Sequence, residues 1–425
     1  MSSVRSYQTS AENTAGGSPG VRWRMFAPAI VVIWIVGMID KTGVGIIATD
    51  KGFLSAMHLA GKPATIGLLT TITLVFYGAS MPVWGMLVDR FGPRRCALFG
   101  LVFWAVSTLI AGFANNVPTL LAARALLGVS EGFLWPLSNA LTARWFPLAE
   151  RARAKSLWIG GINLGFALSG FVITGAIDAS SWRGAFFALT AMAVVLCLPA
   201  AWFFLRDDPA AQPKVSKAEL DLIRHDSIET TVGEHGTVAL SSWTFAVVVV
   251  AWIANNMGVF GLASWFPTYL KTEQHVSGAS ASAFIALAFV LCIAVGPVVG
   301  LGMDRTRRKA IFLFAGFALA AVFLLLSRVV GSVGFQLAAV IVAIVGIEGF
   351  TTLAGQGVLH SMMPTRRMGR ASGLMTGIGN FVGAFGSTIM GALIGVGGFT
   401  AAFTFLTGVF VVGGGCALVL HRLKY

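Results

Sequence analysis

Long apolar runs separated by short polar segments dominate this sequence. Each run is about 20 residues long, the length that an α-helix needs to cross the hydrocarbon core of a bilayer. The pattern therefore predicts an all-α membrane protein with twelve transmembrane helices. We number these predicted spans one to twelve along the chain, at residues 26–48, 64–87, 96–114, 118–142, 154–177, 183–205, 242–270, 280–303, 310–328, 334–362, 370–394 and 399–421.

The longest polar interruption separates six predicted spans from six. This gives four expected regions: a disordered cytoplasmic tail at 1–24, an N-terminal six-helix bundle at 25–205, a cytoplasmic linker at 206–241 and a C-terminal six-helix bundle at 242–425. The tail lacks the apolar core of a signal peptide, so we do not expect cleavage there. Within the linker, residues 217–228 are predicted to form a short amphipathic helix.

Composition supports a membrane protein and excludes several other classes. Of the 425 residues, 56% are hydrophobic and only 11% are charged. A net charge of +13 would suit a nucleic-acid partner, but the basic residues lie in short loops between apolar runs, so none is expected. The four cysteines lie singly inside apolar runs and predict neither a disulfide nor a metal site.

The distribution of lysine and arginine predicts the orientation. With the N-terminus inside, the inner segments hold 23 of the 30 basic residues and the outer segments hold five. Because cytoplasmic loops carry the excess of positive charge, both termini are expected in the cytoplasm. We expect a multi-pass protein of a bacterial inner (plasma) membrane that works as a monomer.

The two halves of the chain repeat each other at a fixed offset of 217 residues. Glu131-Gly132-Phe133 recurs as Glu348-Gly349-Phe350, and Asn163 matches Asn380 at the same shift. Two parallel six-helix halves, related by an axis along the membrane normal, are typical of transporters that bind substrate between the halves and work by alternating access. We therefore expect two pseudo-symmetric bundles.

Charged residues inside the predicted spans are the strongest functional signal. Arg124, Gly128 and Glu131 share one face of span four, and Asp40-Lys41 lies inside span one. Such residues usually face a bundle interior and mark ion or substrate pathways. The purely structural alternatives are a static Asp40–Lys41 pair, an Arg124 that binds only backbone carbonyls, and a Glu131 that acts only as a hydrogen-bond partner.

A short turn between spans two and three carries a demanding motif. It runs from Gly85 to Arg95 and reads GMLVDRFGPRR, with a weaker copy after span eight. Its glycines permit a tight turn, and an aspartate beside arginine can hold the two halves together on the cytoplasmic side. We predict a gating loop formed by Gly85, Asp89, Arg90, Gly92 and Arg94. The alternative is an ordinary basic loop.

These residues carry a resemblance to a known family over residues 25–421. The chain resembles the major facilitator superfamily, whose signature loop is GxLxDRxGxRR, and within it the anion:cation symporter family, which imports organic acids with protons. The resemblance rests on Asp40-Lys41 in span one, Tyr77 and Pro82 in span two, and Arg124, Gly128, Glu131, Gly132 and Pro136 in span four. In the second half it rests on Trp265, Pro267, Tyr269-Leu270 and Gly379-Asn380. It implies proton transfer by Asp40 and Glu131, and substrate binding by Arg124, Lys41 and Tyr77.

Some positions depart from that family. Met38, Lys41 and Met81 stand where members commonly have tyrosine, arginine and glutamine. A lysine lacks the planar fork with which arginine binds a carboxylate. These differences favour a less hydroxylated, more apolar monocarboxylate over a sugar acid.

Together these observations predict import of a small organic anion by proton symport. A buried carboxylate favours its protonated form and a nearby cation opposes this, so proton and anion binding are linked. Glu348 is a third candidate for proton coupling, and Asn163, Asn256, Gln356 and Asn380 are candidates for substrate binding. The driving force would be the proton gradient, without a cofactor. The alternatives are a proton-coupled exporter of lipophilic cations and a non-transporting sensor; catalytic and nucleotide-binding motifs are absent, so an enzyme is not expected.

Overall fold

The computed structural model describes residues 20–229, 242–276, 278–306, 308–363 and 368–424, and its regular structure in these ranges is helical. Eleven helices in the described part are long and apolar enough to cross a membrane. We name them α1 to α11: Arg22–Ile47, Pro63–Phe91, Pro93–Phe113, Val117–Thr142, Ala154–Ala179, Trp182–Phe204, Trp243–Thr272, Gly278–Met303, Lys309–Val329, Val333–Leu359 and Ala371–Arg422.

Several of these helices contain breaks or extensions that matter for the site. The helical pieces are Val117–Glu131 and Leu134–Trp145 in α4, Leu148–Ala179 in α5, Gly278–Thr306 in α8, Val333–Ile344 and Thr352–Met362 in α10, and Met368–Gly383 and Phe385–Arg422 in α11. In α10, residues Val345–Thr351 form a π-helix. Short helices at Lys51–Ala56 and Lys217–Glu229 lie outside the long helices, the second where the sequence predicts a linker helix.

The first ten predicted spans coincide with α1 to α10. Predicted spans eleven and twelve both fall within α11, which is 52 residues long. This helix is interrupted at Gly397 and Gly398, and Gly398 has a φ of +66°. Only glycine adopts this conformation readily, so the chain changes direction there. Residues 1–19 of the predicted tail and residues 230–241 of the predicted linker lie outside the described residues.

Helix packing follows the sequence repeat. Within the first half α1 packs on α5 and α2 on α4, and within the second half α7 packs on α11. Between the halves, α2 packs on α11 and α5 on α8. These two contacts are equivalent under the repeat, because spans two and five of one half meet spans eleven and eight of the other.

Glycines allow the backbones of the two halves to touch. A Cβ on Gly67 would lie 2.7 Å from the Ser387 carbonyl oxygen, and one on Gly78 would lie 2.7 Å from the Phe381 amide nitrogen. The Thr71 hydroxyl donates to the Ala384 carbonyl at 2.9 Å. Such small-residue contacts bring helices close together in membranes. The contacts at Gly67 and Thr71 lie towards the end of the bundle that carries Thr49 and Lys271, where Lys271 donates to the Thr49 carbonyl, whereas Gly78 lies at the middle of α2.

A buried charge cluster attaches the linker helix to the first half. Arg22 donates two hydrogen bonds to the Glu150 carboxylate, at 2.9 and 3.0 Å, and one to Glu219 at 2.8 Å. Glu219 also accepts the backbone N–H of Arg22, and Trp23 donates to Glu150. The first helix therefore begins at Arg22, within the region predicted as tail, because these carboxylates hold its first turn in place.

Candidate functional site

The four charges predicted inside spans one and four come together as two crossed ion pairs. Arg124 Nη1 lies 3.1 Å from Asp40 Oδ1, and Lys41 Nζ lies 2.9 Å from Glu131 Oε2. Each of the adjacent residues on α1 therefore pairs with the opposite charge on α4. All four side chains are at most 5% exposed. With two cations and two carboxylates, this charge quartet is neutral overall.

Two aromatic side chains complete the surroundings of the quartet. Trp104 on α3 donates its indole N–H to Asp40 Oδ2 at 2.6 Å. Lys41 Nζ lies over the Tyr77 ring at 4.0 Å from its centre, the geometry of a cation–π contact. Tyr77 was predicted from the family resemblance, whereas the sequence offered no signal for Trp104. A tryptophan in an apolar span is interpreted as a packing residue unless a polar partner of its indole N–H is known.

The quartet leaves hydrogen-bonding capacity unused. Arg124 Nε and Nη2 are buried and have no acceptor among the described residues, and both Glu131 oxygens lack a hydrogen-bond donor. The Lys41–Glu131 contact is thus an ion pair without hydrogen-bond geometry. Guanidinium N–H groups that are buried without acceptors are unfavourable. The arrangement can therefore gain stability by binding an anion at Arg124.

Gly128 sets the distance between α4 and α2. A Cβ at this position would lie 2.1 Å from the Thr73 carbonyl oxygen and 2.9 Å from the Tyr77 amide nitrogen. Only a residue without a Cβ permits this approach. The contact brings Tyr77 of α2 to the α4 face that carries Arg124 and Glu131.

We expect Gly128→Ala to destabilise the protein by about 1–3 kcal/mol, because the backbone of α2 must move to relieve the overlap. The measurement is the thermal unfolding midpoint of the purified protein in detergent. Gly175→Ala is the matched control, since a Cβ there meets nothing within 4 Å. In an open helical position alanine is favoured over glycine, so the control should keep or raise the midpoint. Equal midpoints for both variants would contradict the close-contact role of Gly128.

Both repeat-related glutamates lie at irregular helix positions. Glu131 ends the first piece of α4, because Pro136 supplies no N–H to the Gly132 carbonyl and the helix is interrupted there. Glu348 lies in the π-helical stretch Val345–Thr351 of α10. Helix irregularities of this kind are frequent at functional sites.

Glu348 has surroundings unlike those of Glu131. It is 5% exposed and accepts a hydrogen bond from the Thr352 hydroxyl at 3.0 Å. No lysine, arginine or histidine nitrogen of the described residues lies within 4.0 Å of its carboxylate. The second half therefore places a buried carboxyl group away from any counter-charge.

The four amide candidates do not form one cluster with the quartet. Asn163 is buried and its Oδ1 has no donor among the described residues. Asn256 donates to the Trp252 carbonyl of its own helix and packs against Gly379, so it lies between α7 and α11. Gln356 is partly buried on α10.

Asn380 of the second half contacts a helix of the first half. Its Nδ2 lies 2.7 Å from the Thr376 carbonyl and 3.8 Å from Met81 Sδ on α2, one helical turn beyond Tyr77. Asn380 thus contacts α2 one helical turn from Tyr77, whose ring lies against Lys41 of the quartet.

The predicted gating loop is held by a different aspartate from the one in the motif. Asp89 and Arg90 are exposed, and Asp89 makes no ion pair with any described residue. Asp207, after α6, instead accepts the backbone N–H of Arg94 at 2.7 Å. Gly92 has a φ of +88°, and a Cβ there would lie 2.6 Å from Asp207. The loop therefore contacts α6 of its own half, a contact that the sequence did not indicate.

Comparisons with known proteins agree with this architecture. The sequence profile of the Major Facilitator Superfamily matches residues 23–387. A probable anion transporter 2, chloroplastic, of Oryza sativa subsp. japonica is 30% identical over 276 residues, which cover 64% of this chain and 50% of that protein. The D-galactonate transporter of Escherichia coli O6:H1 is 25% identical over 349 residues, which cover 77% of this chain and 80% of that protein.

The chain spans about half the length of the rice protein and of other plant relatives. These relatives are named as transporters, in agreement with the prediction that the chain is not an enzyme. A solved structure of a bacterial homologue of the human lysosomal transporter Spinster, inward-facing and unoccupied, superposes with a TM-score of 0.73. It is 16% identical and covers 96% of this chain and 98% of its own, so it establishes the fold.

Proposed function

Because the chain belongs to the major facilitator superfamily, we propose that it is a secondary transporter that carries a small organic anion together with a proton. The observation that carries this proposal is the buried Arg124 guanidinium, which has two nitrogens without an acceptor. A carboxylate is the natural partner of such a planar group. An exporter of lipophilic cations would meet repulsion from Arg124 and Lys41 at the same place.

Charge neutrality couples the anion to the proton. The quartet is neutral, so a monoanion bound beside it would leave one uncompensated negative charge at low dielectric, which is strongly unfavourable. A proton taken up by Glu131 restores neutrality and releases Lys41 from its 2.9 Å pair. The freed ammonium then helps Arg124 to hold the anion. One proton per negative charge is the minimum that this mechanism requires.

We also propose that the chain crosses the membrane twelve times with both termini in the cytoplasm. The 52 residues of α11 would extend about 78 Å as one helix, more than twice the bilayer core of about 30 Å. The break at Gly397 and Gly398 divides it into two lengths that each suit one crossing. The excess of basic residues on the side of Gly92 and Asp207 supports a cytoplasmic location for that side, in the inner membrane of a bacterium.

Alternating access follows from the same geometry. The close backbone contact at Gly67 and the Lys271–Thr49 contact lie at the opposite end of the bundle, which is the outer side in the proposed orientation. In this conformation the two halves are therefore closed towards the outside. Rocking of the halves about the quartet would open that side and admit the anion and the proton.

The test is uptake of radiolabelled acids into proteoliposomes that contain the full chain. The panel comprises D-galactonate, short aliphatic acids and aromatic acids, each with and without an inward proton gradient. Accumulation of any of these acids that needs the gradient supports the proposal and identifies the substrate class. If no acid accumulates and a lipophilic cation is expelled instead, the proton-coupled exporter replaces the symporter.

A further inference from the structure

Under the sequence repeat, Glu348 corresponds to Glu131, but the two basic residues of the quartet correspond to uncharged residues in the second half. At the same offset of 217 residues, Lys41 corresponds to Gly258 and Arg124 to Ile341. The carboxyl group of Glu348 is nonetheless as deeply enclosed as the quartet, at 5% exposure. A buried carboxylate without a counter-charge is strongly unfavourable, so a positive charge that the described residues do not supply would stabilise it.

Oxygen atoms from two helices are gathered around this carboxyl group. The Thr352 hydroxyl donates to Glu348 at 3.0 Å and accepts the Asn255 side-chain N–H at 3.2 Å. The Thr351 hydroxyl contacts both the Asn255 side-chain oxygen and the Ile347 carbonyl. The Glu348 carboxylate is thus linked through Thr352 and Asn255 to a second hydroxyl, an amide oxygen and a backbone carbonyl of the π-helical stretch. Backbone carbonyls at irregular helix positions coordinate Na⁺ or H⁺ in transporters.

The Glu348 carboxyl group lies close to the boundary between the halves. Glu348 lines a narrow apolar crevice with residues of α7, α8 and α10, including Phe289 and Ile344. An adjoining crevice shares those two residues and reaches Thr42, which follows Lys41 on α1. A small cation at Glu348 would therefore sit beside the surface along which the halves move.

We propose that Glu348, Thr351, Thr352 and Asn255 form a second cation site, separate from the quartet, that binds a monovalent hard cation, a proton or Na⁺, during transport. In the described part of the chain, the Cys292 thiol of α8 is the titratable side chain that interacts with Glu348. No charged group there competes for the cation. With one proton at the quartet and one cation at Glu348, import of a monoanion moves one net positive charge inward. The stoichiometry rests on the proposed function; cation binding does not.

Binding is tested on the purified protein without any substrate. Thermal unfolding is followed while NaCl replaces choline chloride at constant ionic strength, for the wild type, Glu348→Gln and Glu273→Gln. Glu273 is exposed and serves as the matched loss of one carboxylate. Infrared spectra of the same proteins over a pH series report the carbonyl stretch of a protonated carboxyl group.

Each outcome decides the proposal. A rise in midpoint with Na⁺ in the wild type and Glu273→Gln, but not in Glu348→Gln, identifies sodium as the cation. If Na⁺ has no effect, a protonated-carboxyl band that is missing in Glu348→Gln and disappears at raised pH identifies the proton. Neither effect, or a band that persists at every pH, means that Glu348 holds no exchangeable cation and overturns the proposal.

Transport gives the independent readout of stoichiometry. With D-galactonate as the probe, or whichever acid of the panel accumulates, uptake is driven by a potential of about 100 mV, inside negative. Loss of one positive charge per cycle lowers the limiting accumulation about 50-fold in Glu348→Gln relative to the wild type. Equal accumulation in both proteins would show that Glu348 carries no positive charge in the transport cycle and would overturn the proposed stoichiometry. If no acid is transported by the wild type, the proposed function fails, while the unfolding and infrared measurements still judge the cation site.

Discussion

Anion uptake is expected to fall about 100-fold or more in Arg124→Ala. The substitution removes the guanidinium whose Nε and Nη2 have no acceptor, and with it the main attraction for a carboxylate. It also leaves Asp40 buried with only the Trp104 N–H and without its ion-pair partner at 3.1 Å. Breaking a buried pair from one side typically amounts to about 3–5 kcal/mol, or more than 100-fold in an equilibrium constant. Initial uptake rates in proteoliposomes provide the measurement.

The double variant Arg124→Ala/Asp40→Asn separates folding from transport. Because both charges of the pair are removed, no lone charge stays buried, and the thermal midpoint should recover towards that of the wild type. Uptake should stay absent, since the anion partner is still missing. Wild-type uptake by the double variant would mean that Arg124 serves only to neutralise Asp40.

Glu131→Gln is expected to retain exchange of the anion but lose accumulation. The glutamine resembles a permanently protonated Glu131, so Lys41 is free to bind the anion and no proton can be released on the inner side. An inward gradient of one pH unit supplies about 1.36 kcal/mol per proton, so the Glu131 proton supports about tenfold accumulation in the wild type, and this contribution is absent in the variant. The measurement compares counterflow with gradient-driven uptake of the same labelled acid.

The pH dependence of exchange gives the check on this assignment. Exchange by the wild type should rise as pH falls, because proton binding at Glu131 releases Lys41, whereas exchange by Glu131→Gln should be independent of pH. Glu273→Gln, which removes an exposed carboxylate, should behave as the wild type. Accumulation by Glu131→Gln at the wild-type level would place the coupled proton on another residue.

Much of this molecule is predictable from its sequence because the bilayer imposes simple rules. Ten spans coincide with helices, since the length of an apolar run and the spacing of polar loops directly reflect the hydrocarbon thickness. The quartet residues were recognised because charges inside spans are rare and usually functional. For the same reason Glu348 stood out.

The partners of these residues were not predictable, because they depend on how helices rotate against one another. Arg124 and Glu131 lie on one face of α4, yet only the packing against α1 reveals that Asp40 pairs with the first and Lys41 with the second. Trp104 gave no polar signal in an otherwise apolar helix. Arg22 was counted as part of a basic tail, whereas two distant carboxylates, one in the linker, hold it inside the fold.

The confinement of both quartet ion pairs to the first half has an electrical consequence. When the halves rock, Asp40, Lys41, Arg124 and Glu131 travel together with a net charge of zero, so the empty protein displaces no charge on their account. In the second half, Glu348 is the group that would respond to the membrane field. Among the described residues, Glu348 is thus the group to which we would assign a transient capacitive current in the absence of any anion, whereas the quartet would be electrically silent until its substrate arrives.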